Sequence, residues 1–258
     1  MSMVRMERRG AVAIVTLDNP EQYNALAAGV LAGLNAALDQ AIADPQIRAI
    51  LLTGAGKGFC SGAQFGGDTF SRGESIGEMM RESISPLIEK LHNSPKPVVT
   101  AVNGPAAGAG VGVALAGDIV FAARSARFIL SFVRLGAVLD GGTSLFLQRS
   151  IGAARARALA LTGEPLTGER AAEWGLVWKC VDDDALHAEA LAAAERLAAG
   201  PPLAIAMIKR QLDDAWTDEL AKTLEEEAAA QTRAFVTADL REGAAAFVEK
   251  RAPKFTGK

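Results

Sequence analysis

The sequence predicts an α/β core followed by a helical C-terminal region. Three features carry that expectation. Short apolar, partly β-branched runs (Val12 to Leu17, Ile47 to Thr53, Val98 to Val102, Ile119 to Ala123) alternate with segments of helical periodicity. Glycine-rich stretches follow two of these runs directly, Gly54 to Ala63 and Asn103 to Gly112, which is where α/β folds build ligand sites. From Leu186 onward the pattern is helical almost to the end.

Taken in order, Met3 to Arg8 alternates weakly, Gly10 turns the chain and Val12 to Leu17 returns, a hairpin-like start ended by Asp18-Asn19-Pro20. Ala25 to Ala43 is expected to be a helix with Leu26, Val30, Leu34, Ala37, Leu38 and Ala41 near one face, stopped by Asp44-Pro45. Gln64 to Gly77 is polar and glycine-rich and reads as a mobile loop, and Ile76 to His92 as one helix. After the Val98 strand, Asn103-Gly104-Pro105 breaks the pattern and Ala106 to Ala114 are almost all small. Such a segment lets backbone amides approach a ligand, and it equally lets a helix pack tightly on a sheet. Ala126 to Leu130 reads as a strand, Arg134 to Gly142 as a loop, and Thr143 to Arg149 and Ala153 to Leu161 as helices. Leu166 to Gly175 reads as an N-capped helix with a glycine stop, and Leu176 to Val181 as the last strand. Asp182-Asp183-Asp184 reads as a solvated turn, followed by helices over 186–199, 202–216, 218–235 and 239–251.

Composition excludes several functions. A net charge of −3 with no basic stripe argues against nucleic acid. Cys60 and Cys180 lie far apart, and His92 and His187 are the only histidines, so neither disulfide nor metal spacing exists. The start lacks an apolar leader, and no apolar run reaches about 18 residues. No membrane association is expected, and a cytoplasmic location with reduced thiols is. Nucleotide motifs also fail. Val113 stands where a dinucleotide fingerprint needs its third glycine, and Gly56-Lys57 lacks both the preceding glycine and the following Ser/Thr of a P-loop.

Several stretches together, IRAILLTGAGKGFCSGAQF, PVVTAVNGPAAGAGVGVALAGDIVFAA, ARFILSFVRLGAVLDGGTSL, ALALTGEPLTGERAAEWGLVWKCV and AFVEKRAPKF, closely resemble the enoyl-CoA hydratase/isomerase (crotonase) superfamily, in order and over nearly the whole chain. The resemblance implies a spiral of repeated ββα units over residues 1–195 that binds acyl-CoA. It also implies a helical oligomerisation region over 196–258 that builds trimers or hexamers. It implies an oxyanion hole of two backbone N–H groups, at Ala63 and Ala109 by position, polarising a thioester. Alanine stands at the second donor where the family usually has glycine. Lys57, Gly58 and Phe59 are expected near the adenine of CoA. Phe255 with Lys254 or Lys258 is expected at its phosphates, across a subunit boundary or as an ordinary solvated terminus. Coenzyme A is then part of the substrate, and no metal or redox cofactor is needed.

The departures narrow the reaction. Hydratases of this family use two glutamates; those positions are Gly112 and Phe132 here, and neither transfers a proton. General acid–base groups contribute about 10²–10⁴-fold each, so hydration by that route is not expected. Asp140 is the candidate base and resembles that of the ring-epoxide and enoyl-CoA isomerases of phenylacetate breakdown. Its loop is one residue shorter than the usual form, and Leu139 replaces a common proline. An apolar wall of Phe132, Leu135, Val138 and Leu139 would raise its pKa. The other reading makes Asp140 a cap for the Thr143 helix. Two rival functions stand beside an isomerase: a hydratase using Glu82 or Asp68, and a non-catalytic acyl-CoA-binding protein. Cys60, lacking a partner histidine, reads as a core or turn residue.

Overall fold

The computed structural model describes residues 3–64 and 75–258. Its centre is a six-stranded sheet. β1 (Val4–Arg9) and β2 (Val12–Leu17) form the antiparallel hairpin turned by Gly10. β3 (Ala49–Gly54), β4 (Val98–Val102), β6 (Ile119–Ala123) and β9 (Lys179–Val181) then add in parallel. All of β4 and most of β3 are buried, as a parallel sheet covered on both faces requires. A second, three-stranded sheet is made of β5 (Pro105–Ala107), β7 (Arg127–Ile129) and β8 (Leu166–Thr167). Cys60 extends it through a bridge to Ala106. The passes through β3, β4 and β6 each leave one strand in the large sheet and one short segment in or beside the small one before a helix follows. This is the expected spiral.

Helices close the faces. α1 (Ala28–Ala43) packs on β1 and β2 through Val30, Leu34 and Leu38. The expected single helix over Ile76 to His92 is two, α2 (Ile76–Glu82) and α3 (Ile84–His92), broken at Ser83. Ser83 has non-helical φ/ψ, and its hydroxyl turns back to the Met79 carbonyl at 2.6 Å. α4 (Ala109–Leu115) is buried at every residue. α5 (Thr143–Thr162) joins the two expected helices across Gly152, whose φ of 75° and ψ of 163° break the helical path. α6 (Gly168–Trp174) has the expected cap, Thr167 Oγ1 accepting from Arg170 N, and the expected left-handed Gly175. The last strand is shorter than expected, because Leu176 and Val177 serve the α6 exit instead. Asp182 and Asp183 are not merely solvated: they accept from Arg124 and Ser125.

α7 (Leu186–Ala198) packs on β3, β4 and β6 with Ala193, Ala194 and Ala198 buried. The environment therefore changes at Gly200-Pro201-Pro202, a few residues after the expected 195/196 boundary. Beyond it, α8 (Pro202–Asp214) has no buried residue, α9 (Leu220–Phe235) has Ala230 alone, and α10 (Ala238–Glu249) has Asp239 and Ala246. Among the described residues no single helix is long and apolar enough to cross a membrane.

Candidate active site

The turn after β3 is held by two asparagine side chains. Asn24, buried and in the left-handed region at φ 55°, donates from Nδ2 to the carbonyls of Ala55, Gly58 and Phe59 at 2.9–3.1 Å. Asn103 accepts from Gly54 N at 3.2 Å and donates to Gly56 O at 3.0 Å. These amides supply the hydrogen bonds that a turn between strands lacks. Sequence reasoning took Asn103 as a strand breaker and passed over Asn24. Asparagine's tolerance of the left-handed region was the available signal.

The turn delivers Gly62 and Ala63 against the start of α4. Gly62 has φ +83°, and a methyl built on it would lie 2.5 Å from Ala107 O and 3.2 Å from Ala109 N. Only glycine fits, and the peptide leading to Ala63 lies against the Ala109 nitrogen. Ala109 opens α4, so its N–H has no acceptor within the helix. Among the described residues neither the Ala63 nor the Ala109 N–H donates to a protein acceptor. Uncommitted backbone amides are the kind of donor that an oxyanion requires.

Asp140 approaches from a third direction. A 3₁₀ turn over Ser131–Leu135 and a left-handed Gly136 lead into the loop. The Asp140 carbonyl, not its carboxylate, accepts from Thr143 N and Thr143 Oγ1 at 3.0 and 2.8 Å. The capping role therefore belongs to the backbone. Oδ1 is buried and has no hydrogen-bond partner among the described residues. Burial pushes the carboxyl pKa up to about 6. The neighbouring Gly141 lies over α4: a methyl built on it would sit 3.5 Å from Ala109 Cα. The loop thus brings Gly141, the residue after Asp140, against the first residue of α4.

The two positions without glutamate have distinct surroundings. A methyl on Gly112 would fall 2.1 Å from Gly141 O, so the loop fills that space. Phe132 is buried with its ring 3.8 Å from where a Gly108 methyl would be, an aromatic wall beside the α4 start. The expected apolar wall needs correction. Leu139 packs against the core, but Leu135, the last residue of the 3₁₀ turn, and Val138, in the loop beyond it, point to solvent, 60 % and 83 % exposed.

The residues expected at coenzyme A separate. Lys57 is exposed and Gly58 is buried beside it. The Phe59 ring is fully buried, and its N–H and C=O are committed to Pro105 and Asn24, so it supports the turn from within. Phe255 and Lys258 do not come to the site of their own chain. Lys258 O accepts from Ala238 N at 2.6 Å, and Asp239 holds Thr256 N and Gly257 N. Phe255 lines a cavity of about 280 Å³ with Leu203, Met207 and Leu240. Arg48, just before β3, donates to Phe255 O at 2.8 Å, whereas the site follows the other end of β3, roughly 20 Å along the strand.

Other groups fall away from the chemistry. The buried Cys60 thiol is pushed up to about 12 by desolvation and is no nucleophile at neutral pH. Glu82 is exposed at the end of α2, while Asp68 and Glu74 lie outside the described residues. His92 ends α3 with Nε2 3.4 Å from Asp213 Oδ1 and its ring 5.5 Å from Phe146. Among the described residues no group of three or more His, Cys, Asp or Glu side chains could hold a metal ion.

The chain belongs to the enoyl-CoA hydratase/isomerase family, whose model matches residues 7–258. It is 43 % identical to the 1,2-epoxyphenylacetyl-CoA isomerase of Escherichia coli (strain K12), over 96 % of this chain and 95 % of that one. It is 42 % identical to the "Probable enoyl-CoA hydratase" of Rhodobacter capsulatus, over 99 % and 98 %. The crystal structure of an enoyl-CoA hydratase from Polaromonas sp. JS666 superposes with a TM-score of 0.92 at 36 % identity, covering 98 % of this chain and 99 % of that one. Members of the family bind acyl-CoA substrates and commonly form oligomers.

Proposed function

We propose that this chain is an acyl-CoA isomerase working with a single carboxylate base. The substrate thioester carbonyl accepts hydrogen bonds from the N–H groups of Ala63 and Ala109. The Asp140 carboxylate takes a proton from the α- or γ-carbon. The electron pair of the broken C–H bond moves into the thioester as an enolate, whose charge the two amides stabilise. Asp140 then returns the proton to another carbon, or, where the enolate pair opens a strained epoxide, to the alkoxide oxygen left by the broken C–O bond. Exposed Lys57 and the Gly58 backbone serve the adenine end, and Phe255 and Lys258 of a neighbouring copy serve the phosphates, in a trimer or hexamer.

The observation that carries this reading is the buried Asp140 Oδ1, without a hydrogen-bond partner among the described residues, on a loop whose next residue, Gly141, packs on Ala109, with no carboxylate at Gly112 or Phe132. A carboxyl with a pKa of about 6 is also better matched as a base near neutral pH than an ordinary aspartate. Similarity to a hydratase at nearly the same identity keeps water addition as the second reading.

Wild type and Asp140→Asn are compared on a 3-enoyl-CoA, a 2-enoyl-CoA in water and a ring-epoxide thioester. Isomerisation by wild type, reduced at least about 10²-fold in Asp140→Asn, is expected. The base must be ionised, so kcat should fall as pH drops through about 6 and level off above it. Hydration of the 2-enoyl-CoA that survives Asp140→Asn would overturn the reading in favour of a hydratase. Binding of every thioester with turnover of none would leave a non-catalytic acyl-CoA-binding protein.

A further inference from the structure

The two peptides that end in the Ala63 and Ala109 N–H groups are each engaged at their carbonyl end, and in different ways. For Ala109 that carbonyl is Gly108 O, which accepts from Val111 N at 3.0 Å within the first turn of α4. For Ala63 it is Gly62 O, which accepts from Leu26 N at 2.8 Å, and Leu26 forms an isolated parallel bridge with Ala63. The first bond is local. The second comes from a distant part of the chain.

That part is shaped for the contact. A 3₁₀ turn over Pro20–Gln22 is followed by two successive non-glycine residues in the left-handed region, Tyr23 at φ 48° and Asn24 at φ 55°. Such residues persist only where their surroundings hold them, and Asn24 is held by its side chain, bonded into the turn after β3. The reversal lets Tyr23 O accept from Ser61 N at 2.9 Å and Leu26 N donate to Gly62 O. Ala27 N then closes on Ala25 O at 2.8 Å, a three-residue turn centred on Leu26. On its other side Gly62 has no room to move, since a methyl there would lie 2.5 Å from Ala107 O.

We propose that the Leu26 N–H orients and polarises the Ala63 donor of the oxyanion hole, which makes Leu26 a positioning residue acting through its backbone. The inference rests on the thioester reading above. A trans peptide is planar, and its C=O and N–H point in opposite directions. Fixing Gly62 O on Leu26 therefore turns the Ala63 N–H away from Leu26 and holds it there without any side chain. A hydrogen bond accepted at the carbonyl also strengthens the one donated by the same peptide, by about 10–30 %. The donor is thus preorganised and enhanced for charge that develops on the thioester oxygen. The Leu26 side chain, 7 % exposed, is core.

Leu26→Pro tests this, because it deletes the N–H at a fitting backbone. Leu26 is outside the left-handed region, so its turn is the inverse form, whose φ of about −75° suits proline. Loss of a whole oxyanion donor costs about 10²–10³-fold in kcat; Leu26→Pro should cost at least about 10-fold in isomerisation, with KM changed less than about 3-fold. The direct readout is the carbonyl stretch of ¹³C-carbonyl hexanoyl-CoA, a saturated thioester with no double bond to move. Wild type should lower that frequency on binding, and Leu26→Pro should shrink the lowering by at least about 10 %. Leu26→Ala, which has the N–H without the leucine side chain, should restore most of the lost kcat and of the frequency shift. A folded Leu26→Pro protein with wild-type kcat and an undiminished shift overturns the proposal. So does a Leu26→Ala protein as impaired in both as Leu26→Pro. If Leu26→Pro does not fold, replacing the Leu26 amide by an ester decides, since it exchanges only the N–H for oxygen: a diminished shift supports the proposal and an undiminished one overturns it. The shift needs no turnover. A wild type that binds hexanoyl-CoA without any shift would count against the oxyanion reading itself, whereas a wild-type shift that survives loss of the Leu26 N–H would count against this contact alone.

Discussion

The site-bearing core and the C-terminal helices are held together by different means. Around the site, backbone meets backbone. Gly62 touches Ala107 and Ala109, Gly112 touches Gly141, and buried asparagine amides span the turns. In α8 to α10, by contrast, apolar side chains meet solvent, among them Leu212, Trp216, Leu220 and Phe247. Those helices are fastened to the core at a few polar points, Lys209 to Asp118 at 2.7 Å and Arg48 to the tail carbonyl of Phe255 at 2.8 Å. The difference teaches where change is tolerated. Around the site, close backbone packing leaves no side chain that could repack, while in the C-terminal helices apolar side chains stay open to solvent.

The sharpest way to break the comparison is Gly62→Ala. It adds a methyl 2.5 Å from Ala107 O at a φ of +83°. Strain and overpacking together should cost about 3 kcal/mol or more, seen as a large fall in the denaturant midpoint along with lost activity. A loss under about 1 kcal/mol would show that the two turns are not locked together. Lys209→Met comes next. It leaves the partly exposed Asp118 carboxylate accepting from Val98 N but without its cation. A loss of about 1–3 kcal/mol is expected, with kcat unchanged, because the pair fastens α8 rather than serving the site. Reduced kcat at full stability would contradict that separation. The smallest effect belongs to Phe247→Ser. At 86 % exposed in the single chain, Phe247 contributes within about 0.5 kcal/mol to the fold of one copy. Sedimentation of this variant sharpens the point: a smaller assembly with an intact monomer fold would assign the residue to an interface between copies, and an unchanged one would leave it on free surface.

Asp140 itself illustrates what could be read in advance. Its residue type, and the lack of carboxylates at Gly112 and Phe132, were legible in the chain and pointed to one-base chemistry. Its orientation was not. The shortened loop and the lost proline left the side chain free to cap a helix or to face the site, because a loop's path depends on what it packs against. Gly112 looked only like a missing glutamate, although it is also the seat of Gly141. Asn24 carried no visible role, since its three acceptors lie more than thirty residues away along the chain.

The sequence by itself determined the local elements: the strands Val12–Leu17 and Val98–Val102 at their observed bounds, the Thr167 cap and the Gly175 stop. Those depend on periodicity and on contacts a few residues apart. Tertiary structure alone decided the break at Ser83, the exposure of Leu135 and Val138, and the folding of Phe255 and Lys258 back onto α10. It also decided the close approach of Gly62 to Ala109 and of Gly141 to Ala109 and Gly112. The physical reason is range. Helix caps and strand alternation are written within a turn or two of chain, whereas a site of paired amides and an unsolvated aspartate exists only where distant backbones close to within van der Waals contact.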